Sequence, residues 1–555
     1  MTYGKIREMN ENLLMSEVNG MVFLDKDHDP RINEALIKQF LKDAPKTKEG
    51  LDNGDKLFNS FSPKPVPIAV EKRNSVRRFL KKLVSGTAHM VLPSFEKDSN
   101  KTYDTLFDEQ GRAYPEWLSL LHEEYQKLLT SVTREVNVME FGAVGDGKTD
   151  DTEAFNKAIG RGRVKVKIPA GCFITKGIRL PSWTILVGEG KGKTIIKLHD
   201  EAPKGTRLIT NRHHRRGNRN IYVEGMSLDW NVERLGNAEK TATWGNHSSC
   251  LTYAHVIYGW VKNVEGINPG LHCFDVSSTL YDYSGDGFRA RGGSKYIWLD
   301  QLNGYGFGDD GITTHHSDYI FITNSHMCDP SGRAHQKGFS NSNGIEVDDG
   351  SRFVWLVNNS SARCFGGVEI KAHHNSSAAS DVQIFGHLSV HDNRSFNFRH
   401  IGHHKSTDSE SKTAFNIRAS NLVAIRPVFT SLYAGSTPRG MVVSAYRNVV
   451  IDNFILIGDP DYDYENNPII AVQYRARNVT LNNITLSNFK KAGADIKLFG
   501  GDHRADHIAL QNITMVNSSL EGIQVGKDIE NIHLKNIKII QHDKMPKIKI
   551  SPKNL

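Results

Sequence analysis

Three related stretches near the end of the chain decide the fold: Asn478-Val-Thr-Leu-Asn-Asn-Ile484, His507-Ile-Ala-Leu-Gln-Asn-Ile513 and Asn531-Ile-His-Leu-Lys-Asn-Ile537. Each alternates apolar and polar residues, which is typical of a β-strand, and reaches a residue suited to a bend. That residue recurs at Gln301, Asn324, Asn358, Gly386, Asn453, Asn483, Asn512 and Asn536. Most intervals are 23 to 34 residues long. Such a repeat predicts stacked units, none of which can bury its apolar face alone.

A second short strand, led by glycine, follows in each unit. Its copies occupy residues 287–290, 311–314, 344–347, 367–370, 440–443 and 522–525. Their apolar residues are spaced by two, which indicates strands and not helices. Short strands with no helix between them predict an all-β main domain built as a parallel β-helix. Neighbouring coils of such a solenoid lie ~4.8 Å apart, so equivalent residues form columns along its outside.

The composition limits what the chain can be. Its 555 residues exceed one compact domain, and a hydrophobic fraction of 38% suits a solenoid with a thin core. The formal net charge of +8 is spread over a long chain and predicts no nucleic-acid binding. With no run of 18 apolar residues and no apolar signal core at the start, we expect no membrane span and synthesis in a cytoplasm without export. Five widely spaced cysteines predict reduced thiols and no zinc site.

Residues 1–115 differ from the repeats and predict a smaller, partly helical N-terminal region. Residues 34–42 and 75–84 have helical patterns, and the second is basic on one face, which suits either solvent or an acidic partner. Pro115 then starts a predicted helix that runs to residue 132, with apolar residues at steps of three and four. This connecting helix, assigned to 116–135, forms either a short coiled-coil seam or a contact with its own domain.

The β-helix is expected to span residues 136–545, with a tail at 546–555, and to begin under a lid. The start of this region predicts a strand, a turn rich in Gly and Asp, and a helix capped by Thr149 or Asp151. Phe155 and Ile159 of that helix can cover the apolar end of the first coil, which would otherwise meet solvent.

One phrase, Phe141-Gly-Ala-Val-Gly-Asp-Gly-x-Thr-Asp-Asp-Thr-x-Ala-Phe155, followed by Ile168-Pro-Ala-Gly171, resembles the opening of pectin-lyase-like right-handed β-helix proteins. That family includes polygalacturonase-like enzymes and many phage tailspikes. A helical N-terminal region before the phrase resembles phage tailspikes and the pre-neck appendage proteins of phages that infect Gram-positive bacteria. The resemblance implies a virion location, attachment to tail or neck proteins through residues 1–115, and a homotrimer.

Acidic side chains concentrate on one predicted face between residues 284 and 374. Its outward columns are Arg289, Thr313, Glu346 and Glu369; Arg291, His315, Asp348 and Lys371; and Asp286, Asp310, Asn343 and Gly366. Packed carboxylates repel, so some keep a proton near neutral pH and the face offers both an acid and a base for cleaving a glycosidic bond. The candidate catalytic residues are Asp286, Asp309, Asp310, Glu346 and Glu369. The candidate substrate-binding residues are Arg289, Arg291, His315, His316, Asp348 and Lys371.

The polygalacturonase-like pattern implies a related assignment. In that family an Asp is followed one coil later by Gly-Asp-Asp and two coils further by Ile-Lys. The matches here are Asp286, Gly308-Asp309-Asp310 and Ile370-Lys371. The family's Gly-His-Gly is replaced by Ser342-Asn-Gly344, so the histidine pair at 315–316 would have to substitute for it. This departure leaves the reaction open.

These features predict a protein that binds and depolymerises a host cell-surface glycan, such as capsule, exopolysaccharide or a wall polymer. Hydrolysis would use Asp310 or Glu346 as the acid and Asp286 or Glu369 as the base. Three alternatives stay open: cleavage of teichoic acid, which is a phosphodiester polymer; a polysaccharide lyase with Lys371 as its base; and an adhesin that does not cut its glycan.

No cofactor or metal is predicted. Histidines at 373–374 and within 400–404 follow along the stack and could hold a divalent metal together with Asp310 and Asp348. Their spacing alone is weak support for a metal site, so a structural or substrate-binding role is preferred.

Overall fold

The computed structural model describes residues 22–42, 56, 102–243, 247–405, 407–540 and 547–550. Short parallel strands wind into successive coils, and each coil pairs in register with the next. The parallel β-helix predicted from the repeats is therefore confirmed. Within the described ranges, no helix is both long enough and apolar enough to cross a membrane.

One face of the solenoid is a sheet of 13 parallel strands, called here the 13-stranded sheet. Its strands are Ile178–Leu180, Ile209–Asn211, Leu251–Ala254, Phe274–Ser277, Ile312–Thr314, Asn343–Val347, Gly366–Ala372, Arg394–His400, Arg439–Ser444, Pro468–Gln473, Ala494–Leu498, Glu521–Val525 and Lys547–Ile550. Ile312 pairs with Ile345, and Ile345 pairs with Val368. These buried side chains fill the interior, so the residues between them point outward.

The remaining faces form the bent sheet, in which the nine longest strands each bend near the middle. Its strands are Arg134–Asn137, Asp146–Asp150, Val164–Ile168, Gly171–Thr175, Thr184–Gly188, Thr194–Leu198, Asn218–Asp229, Val256–Ile267, Lys295–Asp300, Asn303–Tyr305, Asp318–Thr323, His326–Cys328, Arg352–Ala362, Ser380–Val390, Phe415–Ile425, Arg447–Ile457, Arg477–Ser487, Asp506–Val516 and Ile532–Ile540. The predicted bend residues all have positive φ, for example 55° at Asn358 and 54° at Asn483. Asn and Gly tolerate this left-handed conformation best, which explains their recurrence.

The described helices are few. They are Asn33–Phe40, Leu118–Ser131 and Thr152–Ile159, with 3-10 turns at Pro30–Ile32, Val138–Phe141, Val232–Leu235, Ile401–His403 and Gly501–His503. A small antiparallel hairpin pairs Thr105–Phe107 with Ala113–Pro115. The helix predicted at 34–42 is confirmed, whereas the one predicted at 75–84 lies outside the described residues.

The lid of the first coil is the helix Thr152–Ile159, as predicted. Phe155 and Ile159 are buried, and the Phe155 ring meets the Phe173 ring edge to face at 5.9 Å. Asp151 is the N-cap residue, as one of the two predictions had it, but its side chain makes no capping hydrogen bond, and Asp150 accepts from the Thr152 N–H. The Asp151 side chain instead accepts from the backbone of Val144 and Gly145, which fixes the preceding turn.

Both N-terminal helices pack on the outside of the bent sheet. Leu36 and Ile37 of the first helix are buried in a cluster that includes Val423 of the sheet. Leu121 and Leu128 of the second are buried in another cluster, against aromatic side chains of the sheet. Of the two predicted roles for the second helix, the structure shows contact with its own domain.

One predicted strand is wrong. Residues 287–290 form a turn and a loop, and the strand that precedes Ile312–Thr314 in the 13-stranded sheet is Phe274–Ser277. Phe274 also pairs with Leu251, so this rung is already occupied and residues 278–292 are excluded from the sheet. The three outward columns therefore do not begin at Asp286, Arg289 and Arg291, as the sequence predicted.

Candidate active site

Three outward columns of the 13-stranded sheet carry the polar cluster. From N- to C-terminal coils they contain His272, Asp310, Asn343 and Gly366; Asp275, Thr313, Glu346, Glu369 and Asn397; and His315, Asp348, Lys371 and Arg399. Adjacent rungs lie ~4.8 Å apart, so neighbours in a column are within contact range. Asp309, Asp310, Glu346, Asp348, Lys371 and His315 thus meet on one wall, as the sequence predicts.

Four predicted site residues do not join this cluster. Asp286 lies on the excluded loop, where it accepts a hydrogen bond from Ser411 Oγ. Arg289 is buried against Asp318, and the two groups are 2.5 Å apart. Arg291 is exposed on the same loop. The His316 Nε2 accepts a hydrogen bond from the Asp282 N–H of this excluded loop. The placement of Asp286, Arg289 and Arg291 follows from the misassigned strand.

Asp309 and Asp310 sit at one end of the cluster beside two histidines. The His272 Nε2 is 3.6 Å from the Oδ2 of each carboxyl, and the His335 Nε2 is 2.8 Å from the Asp309 Oδ1. The Asp310 Oδ1 accepts hydrogen bonds from the Asn343 N–H at 2.9 Å and from the Asn343 side chain at 3.0 Å. The two adjacent acids therefore have different neighbours.

These neighbours move the two pKa values in opposite directions. Burial alone would raise the pKa of Asp309, but His335 and His272 hold it well below its ordinary value. Burial raises the pKa of Asp310 well above its ordinary value, and the charges of Asp309 and Glu346 raise it further. The two environments therefore favour the ionised form of Asp309 and the protonated form of Asp310.

Lys371 neutralises the centre of the cluster. Its Nζ is 2.5 Å from the Glu346 Oε1, and the Glu346 Oε2 accepts from Thr313 Oγ1 at 3.1 Å. Burial raises the pKa of Glu346 although Lys371 opposes the shift. Burial would lower the pKa of Lys371, but Glu346 and Asp348 raise it well above its ordinary value. Lys371 is therefore a charged ammonium at neutral pH.

Asp348 and Glu369 hold the cluster's other cations. Asp348 lies 3.4 Å from both His315 and His373. Burial opposes ionisation of Asp348, but Lys371 and His373 keep its pKa below the usual range. Glu369 is fully buried and accepts from Asn397 at 2.9 Å and from Arg399. Glu369 is thus committed to an ion pair, which does not favour it as the predicted base.

Asp309 is the most exposed carboxyl of the cluster. Its side chain is 17% exposed, whereas that of Asp310 is 2% exposed. The Tyr281 ring lies 4.9 Å from the His315 ring, and Phe339, which bridges to Tyr433, is exposed.

Sequence patterns do not predict His272, Asp275 or His335. Asp275 is completely buried, and its Oδ2 is 4.0 Å from the His272 Nδ1, which is beyond hydrogen-bond distance. His272 takes the column position that Asp286 was expected to occupy. His335 enters from the irregular segment before Asn343–Val347, where no repeat fixes a register. The histidines beside Asp309 are therefore these two and not His315 or His316.

Three groups that include cluster residues could hold a divalent cation. His272 with Asp309 and Asp310, His315 with Glu346 and Asp348, and His373 with Asp348 and Asp349 each bring three donor atoms within 4.8 Å of one another. Asp310 would have to lose its proton to act as a ligand, and the Lys371 ammonium, 3.8 Å from Asp348, opposes a cation in the second group.

The histidines at 400 and 403 do not reach the positions suggested by the sequence. They group with Asp286, away from Asp310 and Asp348. His373 does reach Asp348 and Asp349.

Comparison with known proteins identifies the family. Residues 135–369 match the family model described as rhamnogalacturonase A/epimerase, pectate lyase-like. A putative phage-related protein, YobO, of Bacillus subtilis (strain 168) is 52% identical over 433 residues, which cover 77% of this chain and 53% of that protein. The pre-neck appendage protein of Bacillus phage phi29 is 39% identical over 480 residues, covering 84% and 55%.

The solved structures agree with this result. An N-terminal fragment of bacteriophage phi29 gene product 12 superposes with a TM-score of 0.68 at 39% identity, over 76% of this chain and 69% of the fragment. The chain spans about half the length of the curated relatives it matches. Its residues 135–369 match the pectate-lyase-like model, and the chain is a homologue of the pre-neck appendage proteins of Bacillus phages.

Proposed function

We propose that this chain is the glycan-active part of a phage neck appendage and that it hydrolyses a polysaccharide of the host cell surface. The observation that carries the proposal is the pair Asp309 and Asp310, whose environments drive their pKa values apart on an outward wall of the solenoid. Hydrolysis of a glycosidic bond needs one carboxylic acid that donates a proton and one carboxylate that accepts one.

The environments assign the two roles. Asp310 transfers its proton to the glycosidic oxygen as the bond to the sugar carbon breaks. Asp309, which is ionised and the more exposed of the two, takes a proton from the attacking water. Lys371 then stabilises the new Asp310 carboxylate, since its positive charge already lowers the pKa of Asp310. These roles replace Asp286 and Glu369 as the bases suggested by the sequence.

The charge state of Lys371 favours a hydrolase over a lyase. A lyase base must be unprotonated before it can remove a proton from a uronic acid. Lys371 is ion-paired with Glu346 at 2.5 Å, and its pKa lies well above the ordinary value. It is therefore a poor proton acceptor at neutral pH.

The names of the relatives support a place in the virion. Pre-neck appendage proteins of three Bacillus phages align with most of this chain. Residues 1–115 would join the neck, and the β-helix would assemble as a homotrimer. Multi-angle light scattering tests the assembly: three chains per particle support it, and a monodisperse monomer contradicts it.

The test of hydrolysis uses purified capsule and cell-wall fractions of the host. Wild-type protein should release new reducing ends, and Asp310→Asn should release them at least ~100-fold more slowly because the proton donor is lost. Glu201→Gln, which changes a carboxylate with a 75% exposed side chain outside the cluster, should retain full activity. Each fraction is also analysed by mass spectrometry.

The products distinguish the alternatives. Unsaturated uronides would indicate a lyase, and released glycerol or ribitol phosphate would indicate cleavage of teichoic acid. Tight binding to a fraction without any product would indicate an adhesin. Each of these three results contradicts glycoside hydrolysis, as does full activity of Asp310→Asn.

A further inference from the structure

A cavity lined by arginines lies outside the carboxylate cluster, next to residues that follow the strands of the 13-stranded sheet. Arg447, Arg475 and Arg477 line it together with His403 and Glu410. None of these residues belongs to the acid and base pair, and the polygalacturonase-like pattern does not include them.

The arginines are placed by the solenoid itself. Arg447 and Arg477 are direct partners on neighbouring rungs of the bent sheet. Their backbones are therefore ~4.8 Å apart, and two like charges in that arrangement destabilise a sheet. An anion placed between or beside them removes that cost. The register thus creates a position that favours negative charge.

An acidic side chain of the protein partly fills this position. The Glu410 carboxylate lies 2.7 Å from the Arg477 Nη1, and the Asp506 carboxylate is 4.0 Å from the Nη2 of the same residue. Glu410 belongs to an irregular segment between two strands, and its side chain is 48% exposed. Water therefore competes for this contact, and an external anion can replace the Glu410 carboxylate.

The cavity lies along the axis from the carboxylate cluster. Lys371 pairs with Arg399, and Arg399 pairs with Ser444, which precedes Arg447 by three residues. Arg475 follows the next strand of the same sheet. Asp310 lies two rungs before Lys371, so four to five rungs, or ~19–24 Å, separate the acid and base pair from the arginines along the axis. A polymer that lies along the axis over this pair and extends that far can reach the arginines.

We propose that Arg447, Arg475 and Arg477 form an anion subsite that binds a phosphate or carboxylate group of the polymer, and that Glu410 occupies it until substrate displaces that side chain. The planar guanidinium groups match both anions, since each can donate two parallel hydrogen bonds. This inference rests on the proposed function, because the anion is carried by the polymer that the cluster cleaves.

The test measures binding directly, so that it does not depend on hydrolysis. Calorimetric titration of the full chain uses inorganic phosphate in one arm and galacturonate in the other. The double variant Arg447→Gln/Arg475→Gln should bind the preferred anion at least ten-fold more weakly. Glu410→Gln should bind it several-fold more tightly, because the internal competitor has lost its charge.

Matched control variants distinguish binding at a specific site from nonspecific attraction to positive charge. Lys157→Gln/Arg161→Gln also removes two exposed positive charges, at the lid of the first coil, and should leave the affinity unchanged. Asp310→Asn should also bind the anion normally, so loss of hydrolysis and loss of anion binding are separate outcomes. Arg447→Lys, which keeps the charge but removes the planar donor pair, should lose part of the affinity while thermal unfolding confirms that it is folded.

Tighter phosphate binding would assign the subsite to a phosphate-bearing polymer, and tighter galacturonate binding to an acidic polysaccharide. Failure of both anions to bind would overturn the proposal. It would also be overturned by wild-type affinity in Arg447→Gln/Arg475→Gln or by weaker binding in Glu410→Gln.

Discussion

The middle and the C-terminal coils of the 13-stranded sheet share one architecture but differ in chemistry. In the middle coils, one outward column reads Asp275, Thr313, Glu346 and Glu369. Further along, the same column reads Val442, Ala471, Lys497 and Gln524. The backbone register is continuous between them, so the sheet does not determine the chemistry. What differs is the set of side chains that the register brings together.

The comparison also shows where charge is costly. Glu346 and Glu369 are buried, and each is paired with a cation that lies in the neighbouring outward column. Lys497 and Gln524 are only half-buried and remain within reach of water. Buried charge has to be compensated, whereas partly exposed charge does not. A folding unit that needs only stability would not retain so many buried ionisable groups, which is consistent with a functional role for the middle coils.

The largest expected difference between the two regions is in activity. Asp309→Asn should lower the rate of glycan hydrolysis by ~10²–10⁴-fold, because the base that accepts the proton from water is lost. Gln524→Ala, an outward change in the later coils, should leave the rate unchanged. Reducing-end assays on the same wall fraction measure both. Equal losses in the two variants would contradict a local site.

Removal of the central cation should produce the largest difference in stability. Lys371→Met leaves Glu346 and Asp348 without their ammonium partner and should lower the free energy of unfolding by ~3–5 kcal/mol. Lys497→Met removes a partly exposed charge and should change it by less than ~0.5 kcal/mol. Urea denaturation followed by circular dichroism gives both values. Indistinguishable midpoints would show that Lys371 does not compensate the buried acids.

The bends should behave alike in both regions, because they belong to the shared scaffold. Asn358→Ala and Asn483→Ala each force alanine into the left-handed conformation and should cost ~1–2 kcal/mol. Glycine at the same positions should cost less, since it adopts positive φ freely. Thermal unfolding of the four variants tests this, and a cost confined to one region would contradict a common scaffold.

The smallest expected effect is a pH dependence of stability in the middle coils. Asp348 raises the pKa of His373 from 6.5 to about 9, against the opposing effect of burial. The folded state then holds a proton that the unfolded state loses above pH 6.5, so the contribution is complete below pH 6.5 and disappears as the pH rises to about 9. The His373 side chain is 45% exposed, so screening reduces the effect.

Unfolding midpoints at pH 6 and pH 9 measure this contribution. The decrease between the two should be smaller in His373→Gln than in the wild type. An identical decrease in both proteins would place the titrating group elsewhere.

Local periodicity explains why most of the fold is predictable. The bend residues and five of the six glycine-led strands follow from alternation within short segments. The sixth fails because Gly287-Phe-Arg-Ala290 alternates by chance within a loop. The spacing from the preceding strand identifies Phe274–Ser277, and not residues 287–290, as the strand of this rung. Ile312 follows Gly304 by eight residues, and Phe274 follows Gly266, the partner of Gly304, by the same number.

The site is predictable only where it lies on the repeat. Asp310, Glu346 and Lys371 occupy regular rungs, so their meeting follows from the register. His335 reaches Asp309 from an irregular segment, and Asp286 is held by Ser411, which is 125 residues away in the chain. No repeat constrains either position, so tertiary contacts alone place them.

The proposed mechanism requires that two adjacent carboxyls on this wall differ in protonation at neutral pH. The direct measurement is the infrared difference spectrum between wild-type protein and Asp310→Asn at pH 7. We expect the loss of a protonated carboxyl band, while Asp309→Asn loses only carboxylate bands. If the spectrum of Asp310→Asn differs from that of the wild type only in ionised carboxylate bands, then Asp310 carries no proton and the proposed acid and base pair is wrong.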